Sequence, residues 1–171
     1  RFFQQQTMSY RCSKLYGWEN KLMSVLNILF VGSDEVARSI AKKSDSRDVD
    51  NYIYKDLKEE GLFSTISILR PNNYPDKPKP FFTSLTVSDF GIIEVNKVDG
   101  VFGEVVVSMA SAGIKEGLVI LNASEGEWVD DSQVKALLQQ AGLSNWEFIE
   151  NDGVLIREKL IKVLNKIKSN N

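Results

Sequence analysis

The sequence predicts a three-layer α/β/α domain built on a mostly parallel, six-stranded sheet, and three observations support this. Short apolar runs alternate with stretches of helical periodicity, the pattern of successive βαβ units. The 171 residues are enough for one domain with one core. The composition, 43% hydrophobic and 26% charged with only 4 prolines, is that of an ordinary globular chain rather than a disordered or fibrous one.

The elements follow in order. Residues 1–22 show neither helical nor strand periodicity and do not begin with methionine, so they read as an N-terminal extension or tail. The domain proper is expected over 23–171. A buried strand is predicted at 26–31, a short helix at 35–43, and strands at 51–54 and 62–69. The run from Arg70 to Pro80 carries four prolines and two asparagines and breaks regular structure. Beyond it the periodicity gives a helix at 81–87, a strand at 90–95, a helix at 102–112 and a strand at 117–121. A helix at 132–141, a strand at 146–149 and a helix at 154–168 close the domain. The last helix carries Arg157, Lys159, Lys162, Lys166 and Lys168 opposite an apolar side, which reads first as a solvated face suited to the helix dipole.

Composition also excludes several functions. A net charge of -2 argues against a domain that lies wholesale on nucleic acid, although a local basic stripe stays open. The single cysteine, Cys12, allows no disulfide within the chain, so a reducing, cytoplasmic setting is expected. With no histidine and one cysteine, no zinc site or other metal centre is expected. No apolar run reaches the roughly 20 residues that span a bilayer, so no membrane partner is expected.

The strand at 26–31 leads into Gly32-Ser33-Asp34-Glu35-Val36-Ala37-Arg38-Ser39, spaced like a phosphate loop entering its helix. A working loop reads Gly, four residues, Gly-Lys and Ser or Thr. Its backbone N–H groups cradle phosphate, its lysine reaches the terminal oxygens and its hydroxyl holds magnesium. Here only Gly32 and Ser39 match. Ala37 and Arg38 replace Gly-Lys, and Asp34 and Glu35 bring negative charge to the place where phosphate charge would sit. On its own the segment reads equally as a vestigial phosphate loop or as a generic strand-to-helix turn.

The middle of the chain is more specific. The segment from Ser88 through Asp89, Glu94, Asp99, Gly100 and Glu104, followed by Ala112-Gly113-Ile114-Lys115 and the strand to Asn122, resembles the translation-factor GTPases. The likeness is to elongation factor Tu and the selenocysteine-specific elongation factor, and it runs in register over about residues 26–168. It implies a phosphate-loop NTPase-like fold. It also implies that Asp76-Lys77-Pro78-Lys79-Pro80 falls on the family's Asp-x-Pro-Gly-His switch. Asp76 and Pro78 match, whereas Pro80 takes the place of the histidine that orients water and has no group that titrates. The guanine-reading Asn-Lys-x-Asp motif falls on Asn122-Ala123-Ser124-Glu125, which keeps Asn122 and, at its end, the carboxylate of Glu125. Asn96-Lys97-Val98-Asp99 spells that motif literally but sits at the family's Asp-Gly turn, out of register for the role. The connection from Ser39 to Asp76 is short and is expected to hold a pair of strands in place of a full switch.

The resemblance implies a non-hydrolysing GTPase-like domain without catalytic residues or a resident cofactor, acting as a binding or scaffold module. Its implied partners are the ribosome, tRNA or other translation proteins, together with C-terminal β-barrel domains of the same protein. One alternative is a divergent active GTPase in which Arg38 replaces lysine and Ser39 binds magnesium with GTP. A second is an NAD-type dinucleotide-binding regulatory module, with Asp56 as the ribose-binding carboxylate some 20 residues beyond Gly32. Candidate contact surfaces are Trp128, Trp146, which is more simply a packing residue, and the turn from Tyr74 to Phe82.

Overall fold

The structure, a computed structural model, describes residues 24–57 and 63–169. The extension predicted over 1–22, with Cys12, and the predicted strand start at Leu62 lie outside the described residues. Seven strands form one sheet: β1 (Ser24–Val31), β2 (Lys42–Ser46), β3 (Val49–Leu57), β4 (Phe63–Pro71), β5 (Phe90–Val95), β6 (Gly117–Leu121) and β7 (Glu147–Ile149). Their order is β2-β3-β4-β1-β5-β6-β7. The pairs β4-β1, β1-β5, β5-β6 and β6-β7 are parallel, whereas β2-β3 and β3-β4 are antiparallel.

Among the described residues five helices cover the sheet: α1 (Asp34–Ile40), α2 (Pro78–Val87), α3 (Gly100–Ser111), α4 (Asp131–Gln140) and α5 (Gly153–Ser169). Strand periodicity splits the core into two layers. On one face Leu26, Ile28 and Phe30 of β1 meet Val36 and Ile40 of α1 and Ile156, Leu160 and Leu164 of α5. On the other face Leu29, Ile93, Val95 and Val119 meet Phe81 of α2, Phe102 and Met109 of α3 and Val134 of α4. The result is a three-layer α/β/α fold.

Two expectations are corrected. The helix predicted to reach Lys43 ends at Ile40, because Ala41 is extended (φ -146°, ψ 161°) and starts a new strand. That strand, Lys-Lys-Ser-Asp-Ser, makes the sheet seven-stranded rather than six, and three strands rather than two fill the span between Ser39 and Asp76. Its side chains are almost all exposed at the sheet edge, so no apolar alternation announces it. Elsewhere the predicted elements stand with shifted ends. Asp99 and Asp130 cap α3 and α4 by accepting from Phe102 and Ser132 backbone N–H groups, at 2.9 Å each.

Trp146 is buried (6% exposed) just before β7, packed over the starts of β5 and β6. Two glycines make the room. A Cβ on Gly91 would lie 2.5 Å from the Trp146 ring, and one on Gly117 would lie 2.6 Å from both that ring and the Gly91 carbonyl. Trp128, in contrast, is 88% exposed.

Candidate functional site

Between the end of β1 and the start of α1 only two residues remain, Gly32 and Ser33. A cradle for phosphate needs several consecutive N–H groups outside the helix. Here the helix begins at Asp34, and the Ala37 N–H is already spent on the Ser33 carbonyl at 3.2 Å. Ser33 is the N-cap, its Oγ accepting from the Val36 N–H at 3.4 Å.

A carboxylate of the chain itself fills the mouth of this turn. Glu94, 8% exposed within the wholly buried strand β5, accepts from the Ser33 N–H at 2.7 Å and from the Ser33 hydroxyl at 2.9 Å through Oε2. Its Oε1 accepts from the Asn122 amide at 2.8 Å. The carboxylate thus ties together the ends of β1, β5 and β6. Gly32 is required by the same contact, since a Cβ there would lie 2.6 Å from Glu94 Oε2 and 2.8 Å from the Phe30 ring.

Beside the turn lies a network of charges on α1, β2, β3 and β4. Asp50, 3% exposed, accepts from Lys43 Nζ and Arg70 Nη1, each at 3.0 Å, and from the Ser46 hydroxyl at 2.7 Å. Arg70 Nε also donates to the Gly32 carbonyl at 2.7 Å, fastening the network to the turn. Asp34 accepts from Arg38 at 2.6 Å, from Lys43 at 3.0 Å and from the hydroxyl of the buried Tyr52. The Tyr52 hydroxyl, together with Arg38 and Lys43, holds the Asp34 carboxyl well below the ordinary carboxylate range. Burial pushes the Asp50 pKa up, but hydrogen bonds from Ser46, Asn72 and Lys43 outweigh it and the net shift is downward. Burial, with the Asp34 carboxylate second, pushes the Tyr52 phenol up, so it stays protonated as a donor.

The predicted residues are only partly brought together. Gly32, Asp34, Ala37, Arg38 and Ser39 share the turn and α1, and Asn122 joins them through Glu94. Arg38 is turned along its own helix to Asp34, and the Ser39 hydroxyl donates to the Val36 carbonyl at 2.6 Å, so neither is posed for a phosphate or a magnesium ion. Ala37 is fully buried and Glu35 is exposed. Asp76 lies in an exposed turn, Pro78 and Pro80 sit in the first turn of α2, and Glu125 lies in the exposed turn after β6. Among the described residues, neither Asp76 nor Glu125 makes an ion pair. Asp99 of the literal Asn-Lys-x-Asp string is used as the α3 cap. Asp56 does not suit a dinucleotide site. It pairs with Ser64, and Ser64 pairs with Ser24 at the start of β1, so Asp56 sits at the opposite end of the sheet from Gly32. That is a separation of roughly 26 Å along a strand.

Sequence reasoning did not single out Glu94, Asp50, Arg70 or Tyr52 for this site. A signal for Glu94 existed, as the lone charge in Phe-Gly-Ile-Ile-Glu-Val: a carboxylate in a strand covered on both faces needs a partner. Chemically, the arrangement neutralises itself. The donors at the turn point at a carboxylate of the same chain, and the carboxylates beside it are held by Arg38, Lys43 and Arg70.

No family model matches the chain. Over 135 residues it is 27% identical to an uncharacterised protein of Methanocaldococcus jannaschii, a match covering 79% of this chain and 41% of that protein. Among solved structures it is similar to the bacterial selenocysteine-specific elongation factor EF-Sec. The TM-score is 0.60 at 14% identity, covering 84% of this chain and 29% of that one. The chain thus has a translation-factor-like fold and spans well under half the length of either protein. Among the described residues no helix is long and apolar enough to cross a membrane.

Proposed function

We propose that this chain is a non-hydrolysing, translation-factor-like domain that works as a binding or scaffold module, contacting the ribosome, tRNA or other translation proteins. The observation that carries this reading is Glu94. Its carboxylate takes the Ser33 N–H and hydroxyl at the position where the related loop would offer donors to phosphate. A nucleotide phosphate would have to displace this carboxylate, and would then meet the Asp34 and Glu35 side chains. The start of α1 at Asp34 removes the span that would wrap the phosphate, and Pro80 offers no base to a water molecule. On this reading Gly32, Asp34, Glu35, Ala37, Arg38 and Ser39 are remnants of a phosphate loop, and Asp76, Pro78, Pro80, Asn122 and Glu125 are remnants of the switch and base sites. On this reading the domain holds no GTP or magnesium.

Isothermal titration with GTP, and separately with GDP, in millimolar magnesium is expected to give no heat of binding. A micromolar dissociation constant for either nucleotide sinks the proposal.

A further inference from the structure

A second feature lies where α1 ends, and neither the turn nor Glu94 takes part in it. A groove of about 460 Å³ opens there between α1, the first residues of β2, the second half of β3 and the start of α5. It is lined by Arg38, Lys42, Lys43, Lys55 and Arg157, with Ala41, Ile53 and Tyr54 as its floor. Five of its eight lining residues are cationic and none is acidic, in a chain whose net charge is -2. Basic charge has been gathered onto one surface against the overall balance. Two of the five are partly neutralised from behind by Asp34 and Asp50. Among the described residues Lys42, Lys55 and Arg157 form no ion pair. Arg157 is held rigidly, its Nε donating to the Ile40 carbonyl at 2.8 Å and its guanidinium lying 4.8 Å from the Tyr54 ring centre. A cation fixed in this way loses little side-chain entropy on meeting an anion.

We infer that this groove binds the phosphodiester backbone of a single-stranded RNA segment. The floor offers only one alanine, one half-buried isoleucine and a tyrosine ring already covered by Arg157, so there is no apolar pocket to anchor the side chain of an acidic peptide. Recognition must therefore be carried by charge. Cations from four separate elements suit a chain that repeats its charge along its length. The inference deepens the binding-module reading above by giving the partner's chemistry, and the two fail separately. Nucleotide binding at the turn would overturn the first and leave the groove as it is.

The test is fluorescence anisotropy of a labelled 12-nucleotide oligouridine against the 171-residue chain. Binding is expected in 50 mM salt, weakening roughly twentyfold by 200 mM, as about three neutralised phosphates on a single strand require. The double reversal Lys42→Glu with Lys55→Glu should weaken binding at least fivefold. The charge-matched control Lys97→Glu with Lys115→Glu, exposed in the loops after β5 and before β6 and outside the groove, should leave it within twofold. Should circular dichroism show that the double reversal does not fold, Lys42→Gln and Lys55→Gln singly are the readout, each expected to weaken binding about twofold or more. Three results each overturn the inference: no binding in 50 mM salt, equal loss in the control pair, or displacement of the RNA by polyglutamate at equal charge concentration. The last would assign the groove to an acidic protein instead.

Discussion

Strands β5 and β6 end in two unlike ways. At their C-terminal ends Glu94 and Asn122 meet Ser33, and every polar group named there has a partner within 3.4 Å. At their N-terminal ends Gly91 and Gly117 make room for Trp146, a large ring packed on bare backbone, and the buried Trp146 Nε1 has no hydrogen-bond partner among the described residues. One end is specified by hydrogen bonding and is sensitive to a change of charge. The other is specified by volume and is sensitive to an added atom. Open α/β sheets commonly receive ligands at the carboxyl ends of their strands. In this chain that end is hydrogen-bonded to residues of the same chain.

The comparison can be broken most sharply at Asp50. Asp50→Ala leaves Arg70 and Lys43 without their shared buried counter-charge and is expected to cost about 3–5 kcal/mol, read as a lower urea midpoint at unchanged slope. A loss below about 1 kcal/mol would mean the network is not structural. At the packed end Gly117→Ala forces a methyl group against the Trp146 ring and the Gly91 carbonyl, and about 2–3 kcal/mol should be lost. Combining it with Trp146→Phe should recover part of that loss, because the ring is one of the two obstacles. Glu94→Gln keeps the shape of the polar end but turns one acceptor into a donor facing another donor. We expect it to cost about 1–2 kcal/mol without creating affinity for GTP. The smallest effect is with pH. The folded pKa values of Asp34 and Asp50 lie below the ordinary 3.8, so their contribution is complete above that value and is lost as pH falls below it. Unfolding midpoints should hold steady from pH 7 to about 5 and drop below pH 4, and Asp50→Asn should flatten that drop. An unchanged acid slope in Asp50→Asn would move the effect to other carboxylates.

The two ends were unequally legible in the sequence. Buried strands announce themselves, because Leu26 to Val31 and Gly117 to Leu121 are apolar runs with no other reading. Helices α3, α4 and α5 declared themselves by their period. Strand β2 was hidden because an edge strand has no buried face to impose alternation, and its lysines and aspartate look like the end of a helix. The site was legible as a turn with the wrong residues, but its content was not. Glu94 reaches Ser33 across 61 positions and Arg70 reaches Gly32 across 38, and pairings of that range leave no local pattern. What could be read was the anomaly of one carboxylate in an apolar strand, which says that a partner exists without saying where.

Helix α1 has seven residues, fewer than the dozen or so at which a helix begins to stand alone in water. It is finished from outside. Ser33 and Glu94 hold its start, and Arg157, 117 positions downstream of Ile40, takes the carbonyl at its end. When the chain is made from its N-terminus, α1 is among the first segments of the domain to emerge and must wait for almost the last to gain its final bond. The segment of the domain that most resembles a nucleotide site is therefore also the one that cannot be complete until synthesis of the domain is nearly over.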